Sequence, residues 1–269
     1  MKNPPVWLEL VFSLPTILVG TLTSFVIHYF LLSDYLPFSQ FFLIYFLFSL
    51  LTLTRIGEKV LVALTPGTSI LKGEMPKLLN EIALTITERA KIPSRNWLFA
   101  VEKSSRLNAG TSGRHLVVLT PSALRLPPKE LRAVLAHEIG HQRNKDTISS
   151  HFQWWFTLPV YLILRTKNPA PILLLSFGIY LFSKNLTTPA ETLIVLGVFF
   201  STLIFFSLIN LYIERLNELA ADHFVYQVGF EEDLIATLSR FNDNSKLPSF
   251  LQSHPRTKKR IDRLNNYLD

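Results

Sequence analysis

Apolar residues in this chain are either massed in long runs or set at the helical and strand spacings of a half-buried domain, and the two patterns occupy different stretches. Over residues 10–32 the run is interrupted by little more than a few Thr and Ser, Pro15 and His28. As a helix it spans about 34 Å, enough to cross a hydrocarbon core of about 30 Å. A transmembrane helix is expected there, because the run is too long for the apolar part of a cleaved signal and no small-residue cleavage site follows. After a break at 33–37, residues 38–53 form a second, aromatic-rich span. Residues 1–54 therefore read as a transmembrane hairpin, with His28 near its interface.

From Arg55 the spacing changes. Residues 75–91 place Leu78, Leu79, Ile82, Ile86 and Ala90 on one face of an amphipathic helix that stops before Pro93. Residues 97–101 and 116–119 are short β-prone runs, and Gly110, Ser112 and Gly113 between them supply turn chemistry, which predicts a small sheet. Thr120-Pro121 opens a helical turn, and Pro127-Pro128 starts a longer helix ending in the polar stretch Gln142 to Asp146. Apolar runs return at 147–164, 172–182 and 193–212.

Composition agrees with a membrane protein carrying a modest soluble part: 269 residues, 48% hydrophobic, with a mean hydropathy of +0.27. The absence of cysteine removes disulfides, thiolate nucleophiles and Cys-ligated zinc. The net charge of +7 comes from scattered Lys and Arg rather than a dense basic face, so no nucleic-acid partner is expected. Arg55, Lys59, Lys72 and Lys77, set against Asp34 in the opposite loop, put the segment after the hairpin and the N-terminus in the cytoplasm.

The candidate chemistry lies in the Pro-started helix. His137 and His141 are four residues apart, about 40° around the axis, so both imidazoles can reach one metal ion with Glu138 beside it. This is the HExxH arrangement of zinc hydrolases, in which three protein ligands leave a position for water and the glutamate is the general base. The other reading makes both histidines polar residues of an amphipathic helix.

A third ligand is expected after the last apolar run. Glu218 and Asp222 share a helix face, which suits a zinc ligand and a carboxylate that orients a ligand histidine. A solvated acidic face is the alternative, and His223 is read as a packing or surface residue. His254 before Pro255 is either a helix-start residue or a donor to the oxyanion of a tetrahedral intermediate. If both halves of the site lie on one side of the membrane, an even number of crossings separates them. Spans are therefore expected at 147–164 and 190–213, with the 11-residue run 172–182 interfacial or re-entrant.

Four stretches together resemble the HtpX-type and CAAX prenyl protease-type integral-membrane zinc metallopeptidases. They are His137-Glu138-Ile139-Gly140-His141 with Asp146 five residues on, Arg215, Glu218, Ala221 and Asp222 in an R-x-x-E-x-x-A-D pattern, His254-Pro255 with Arg260-Ile261, and Asn108-Ala109 before a turn and strand. The resemblance covers about 75–267. It implies His137, His141 and Glu218 as ligands of one zinc ion per chain, Glu138 as base and His254 as oxyanion stabiliser. Asp222, Arg260 and Asp146 become supporting residues, and Asn108, Ala109 and Gly110 the edge that pairs with an extended peptide. Gly110 stands where the family usually has a bulky residue, and the run 172–182 is not expected of HtpX.

The expected fold is a mainly α membrane protein with about four transmembrane helices and a zincin-like α+β catalytic domain with a small sheet. Its parts are a hairpin (1–54), catalytic segments (55–146 and 214–269) and a membrane region (147–213). The expected activity is HtpX-like endopeptidase quality control on peptide or membrane-protein substrates, at the lipid bilayer of the bacterial inner (plasma) membrane with active site and both termini cytoplasmic. The alternatives are a membrane adaptor or sensor with a structural metal site, and CAAX prenyl protease-like processing.

Overall fold

A computed structural model of the chain describes residues 28, 35–148, 151, 152, 155, 188–240 and 254–268. The expected span 10–32, His28 apart, the run 172–182 and nearly all of 147–164 lie outside the described residues. The chain divides into two compact units, one of Met1–Val6, Leu51–Ile148 and Leu211–Asp269, the other of Trp7–Leu50 and Ser149–Asn210.

The second unit contains almost all of helix α1, Phe38–Leu51. Its first turn is set by Pro37, whose carbonyl accepts from the N–H groups of Gln40 and Phe41. Leu43, Ile44, Leu47 and Leu50 are exposed along it, while Tyr45 donates to the carbonyl of Trp155 at 3.1 Å. Long helix α6, Pro189–Gln227, begins in this unit and exposes Leu193, Ile194, Val198, Ile204 and Phe205. Apolar residues presented in such numbers call for a partner other than water. Among the described residues no single helix is long and apolar enough to cross a membrane, although Phe38–Leu51 and Arg55–Leu64 pass that test together as a bent pair.

The first unit is mostly helical around a small mixed sheet. Helix α2, Arg55–Leu64, is capped by Thr54, whose hydroxyl accepts from the N–H of Gly57. Strands β1 (Thr68–Ile70), β2 (Leu98–Glu102), β3 (Ala109–Ser112) and β4 (Leu116–Leu119) lie in the order β1-β2-β4-β3. Strands β2 and β4 are parallel, and β1 and β3 pair antiparallel at the two edges. The β4 strand coincides with the predicted run, and β2 is shifted by one residue. Gly110 and Ser112, expected as turn residues, are instead in β3, opposite Val118 and Leu116. Pairing with β4 overrides the weak strand preference of Ala-Gly-Thr-Ser, and the turn is left to Gly113 with φ +63°.

Helix α3, Met75–Arg89, buries Leu79, Ala83, Ile86 and Thr87, whereas Leu78 faces outward. Small helix α4, Pro121–Leu124, is capped by Thr120 and leads to α5, Pro128–Asn144. From Leu211 onward α6 belongs to this unit and is followed by α7, Glu231–Leu238, and α8, Thr257–Leu268. One apolar core joins α3, the sheet, α5 and the end of α6, with Leu79, Ile86, Val117, Leu119, Leu135, Ile139, Phe224 and Leu264 nearly or fully buried. Burial of each such side chain contributes about 1.5–3 kcal/mol.

Candidate metal centre

Helix α5 carries His137, Glu138 and His141, and α6 crosses it closely enough to bring Glu218 and Asp222 alongside. The closeness depends on Gly140. A β-carbon there would stand 3.2 Å from the Cα and 3.3 Å from the carbonyl oxygen of Ala221, and 3.1 Å from the ring of Phe224. Glycine removes that obstruction, and the facing polar residues of the two helices meet.

Atoms of His137, His141 and Glu218 then converge within 4.8 Å of one another. The two Nε2 atoms are 3.2 Å apart, with the rings perpendicular. Glu218 spans them, Oε2 lying 3.4 Å from Nε2 of His137 and Oε1 3.4 Å from Nε2 of His141. Nδ1 of His141 meets Asp146 Oδ2 at 2.9 Å, so the ring donates there and presents the lone pair of Nε2 inward. Nδ1 of His137 lies 3.0 Å from Asp222 Oδ1. With the rings neutral, nitrogen and carboxylate donor atoms from three side chains face a common point, which a shared cation can occupy. Tetrahedral zinc with ligands at about 2.0–2.1 Å separates neighbouring ligand atoms by about 3.3–3.4 Å, and a nitrogen and carboxylate donor set suits that ion.

A second layer of charge surrounds the first. Arg260 of α8 donates from Nε to Asp222 Oδ2 at 2.8 Å and from Nη2 to Oδ1 at 2.7 Å, while its Nη1 is 3.2 Å from Glu218 Oε2. His254 places Nδ1 3.0 Å from Glu218 Oε1 with its side chain largely exposed.

These contacts set the proton affinities of the metal-free cluster. Burial would raise the Glu218 carboxyl, but His137, His141 and His254 hold it well below the usual range. Burial likewise opposes ionisation of Asp222, and Arg260 and His137 reverse it. The two buried imidazoles would be pushed down, yet Asp222 and Glu218 raise His137, and Asp146 and Glu218 raise His141 well above its ordinary value. Glu138 has no such compensation of equal size. Burial pushes its carboxyl up, and the neighbouring imidazoles offset only part of that rise.

Asn108, Ala109 and Gly110 lie at the edge of the sheet. The carbonyl of Asn108 accepts from the N–H and hydroxyl of Thr120 at 3.1 and 2.9 Å, which fixes the register in which Ala109 enters β3. Further residues join this edge to the centre without a signal in the sequence. Gln142, next to His141 and buried, donates from Nε2 to the carbonyl of Leu116 at 3.0 Å and to the hydroxyl of Thr111. Glu58 and Thr147 hold the β3–β4 turn, and neither belongs to a recognisable motif.

Comparison with known proteins gives three findings. A family profile described as Peptidase family M48 matches residues 74–268. The chain is 32% identical over 97 residues to a protein described as a Protease HtpX homolog from Sulfurihydrogenibium sp. (strain YO3AOP1), over 35% of this chain and 32% of that relative. The crystal structure of S. mikatae Ste24p is similar in fold, with a TM-score of 0.52 and 18% identity over 85% of this chain and 58% of that one. The match thus spans about a third of the first relative and somewhat over half of the second.

Proposed function

The chain belongs to peptidase family M48, and from that premise we propose that it is a membrane-bound, zinc-dependent endopeptidase of HtpX-like type. One observation carries the reading: a buried carboxylate, Glu138, sits in the same helical turn as two imidazoles that share the carboxylate of Glu218. A base beside a cation site is what hydrolysis by water requires.

His137, His141 and Glu218 would hold one zinc ion per chain. Zinc, when bound, supplies Lewis acidity towards water and the scissile carbonyl. Glu138 removes a proton from the attacking water as the C–O bond forms, and delivers it to the amine nitrogen as the C–N bond breaks. His254, whose Nδ1 is engaged by Glu218, has Nε2 for a hydrogen bond to the carbonyl oxygen as negative charge develops there. Asp146 and Asp222 orient the two ligand rings, and Arg260 offsets the repulsion between Asp222 and Glu218.

Substrate is taken as an extended segment along β3, by addition of a strand at Asn108, Ala109 and Gly110. The Asn108–Thr120 pair faces inward, so the alternation of an antiparallel ladder turns the N–H and C=O of Ala109 and Thr111 to the outer edge.

Residues 1–54 form a transmembrane hairpin, and 147–213 cross twice with 172–182 interfacial or re-entrant. Segments 55–146 and 214–269 then meet on the cytoplasmic side of a bacterial inner membrane, together with both termini. The exposed apolar residues of α1 and α6 support that placement. Peptides and damaged membrane proteins are the substrates this position gives access to. An adaptor with a structural metal site leaves the base at Glu138 without a purpose.

The test is metal content and casein cleavage by detergent-purified protein, wild type beside Glu138→Gln. One zinc per chain in both, with cleavage by the wild type alone, is expected. Metal in both with cleavage in neither favours the adaptor, and metal in neither removes the basis of the reading.

A further inference from the structure

We propose that Glu58 is a positioning residue for the peptide-binding edge, clamping the β3–β4 turn so that an extended substrate strand is presented to the metal centre at a fixed angle. This rests on the reading of β3 as the edge that takes substrate.

Glu58 is a fully buried acid in α2 that takes no part in the proposed hydrolysis. Its Oε1 accepts from the backbone N–H of Arg114 at 2.7 Å and of His115 at 2.9 Å, and Oε2 lies 3.2 Å from Nδ1 of the His115 ring. An ionisable group kept out of water is costly unless its oxygens are engaged, and here they are engaged by one tight turn. Gly113 is part of the fit. It has φ +63°, and a β-carbon on it would come within 2.5 Å of Glu58 Oε1. From the other side Thr147 donates its hydroxyl to the carbonyl of Gly113 at 2.6 Å.

The paired strands are tied separately to α5. Gln142 reaches the carbonyl of Leu116 and the hydroxyl of Thr111, immediately after His141. Strand β4 is fixed along its length by β2, so the part of the hairpin left to be held is its turn and the outer strand β3. Glu58, with Thr147, fixes the turn, while Gln142 holds the strands beside it, and together these contacts set the direction of β3 with respect to the helix that carries Glu138. Loss of the turn anchor therefore disturbs where the peptide lies, while the ligand cluster, built by α5, α6 and α8, is left intact.

The test uses the full chain in detergent with zinc and an internally quenched extended peptide. Glu58→Ala is expected to raise KM about tenfold with kcat within about twofold and zinc content unchanged, since a loosened edge gives up pairing that substrate and transition state share. Glu58→Gln keeps an oxygen for the two N–H groups and is expected to restore KM. Gly113→Ala, which pushes the carboxylate aside, should move KM in the same direction as Glu58→Ala. Hydrogen exchange gives a readout independent of cleavage: amides of 109–119 should exchange faster in Glu58→Ala, and those of 128–144 at the wild-type rate. Unchanged exchange at 109–119 overturns the clamp, as does a fall in kcat at constant KM. If the wild type cleaves nothing while exchange behaves as expected, the clamp stands and the peptidase reading is what fails.

Discussion

Arg260 grips Asp222 through two parallel hydrogen bonds, at 2.8 and 2.7 Å, and its remaining nitrogen reaches Glu218 at 3.2 Å. One guanidinium thus faces both carboxylates of α6, one turn apart, and keeps them side by side in a buried place where alone they would repel.

Replacement of Arg260 by Lys keeps the charge and loses the fork. Zinc affinity, measured by competition with a chelator, is expected to fall about 10–100-fold, the usual cost of losing a group that orients ligands. Affinity equal to wild type would show that Glu218 and Asp222 need no such restraint.

Gly140→Val should be damaging out of proportion to its size. A single β-carbon already comes within 3.1–3.3 Å of Phe224 and the Ala221 backbone, and a branched side chain must force α5 and α6 apart. Overpacking of this kind costs about 1–3 kcal/mol. Thermal unfolding should show a lower midpoint, and zinc binding should weaken because His137 and His141 are drawn away from Glu218. Stability lost with zinc affinity retained would mean that the helices separate without opening the cluster.

The metal-free chain should have a stability maximum in mildly acidic solution. His137 and His141 have raised pKa values, so the stability they contribute is complete below their ordinary 6.5 and is lost as pH rises through the folded values. Glu218 and Asp222 are depressed, so theirs is complete above the ordinary 4.5 and 3.8 and is lost as pH falls through the folded values. The overlap is pH 4.5–6.5. Zinc should invert the alkaline side, because it takes the deprotonated rings. Melting curves against pH, with zinc and with chelator, check this; a chelated protein most stable above pH 8 would contradict the cluster's proton balance.

Ala109→Pro removes an outward N–H of β3 and leaves the bonds to β4 in place, since proline is tolerated at a sheet edge. KM for an extended peptide should rise about tenfold, with zinc binding and melting temperature near wild type. An unchanged KM would place the substrate elsewhere.

The legible parts of this chain were those written in a single period. Four-residue spacing located the faces of α5 and α6, and hence the candidate pairs His137–His141 and Glu218–Asp222, because helix geometry depends on near neighbours alone. Gly110 and Ser112 read as turn residues by composition but lie in β3, because the order of that strand comes from β4 and nothing in Ala-Gly-Thr-Ser announces it. Leu78 and Leu79 are both apolar and adjacent, so spacing alone places both inward, and packing in the core keeps Leu79 and turns Leu78 out. Glu58 and Gln142 were invisible for a related reason. Each answers backbone atoms far along the chain, Glu58 those of residues 114 and 115, Gln142 that of residue 116.

The dependence of α6 on Arg260 also has a meaning in time. A ribosome completes α5, with its two histidines and its base, more than a hundred residues before it delivers Arg260. Until α8 folds back, Glu218 and Asp222 have the α5 histidines but lack the guanidinium that bridges them. On the reading proposed here, the ligand cluster therefore reaches its full affinity for metal only once α8 has docked on α6.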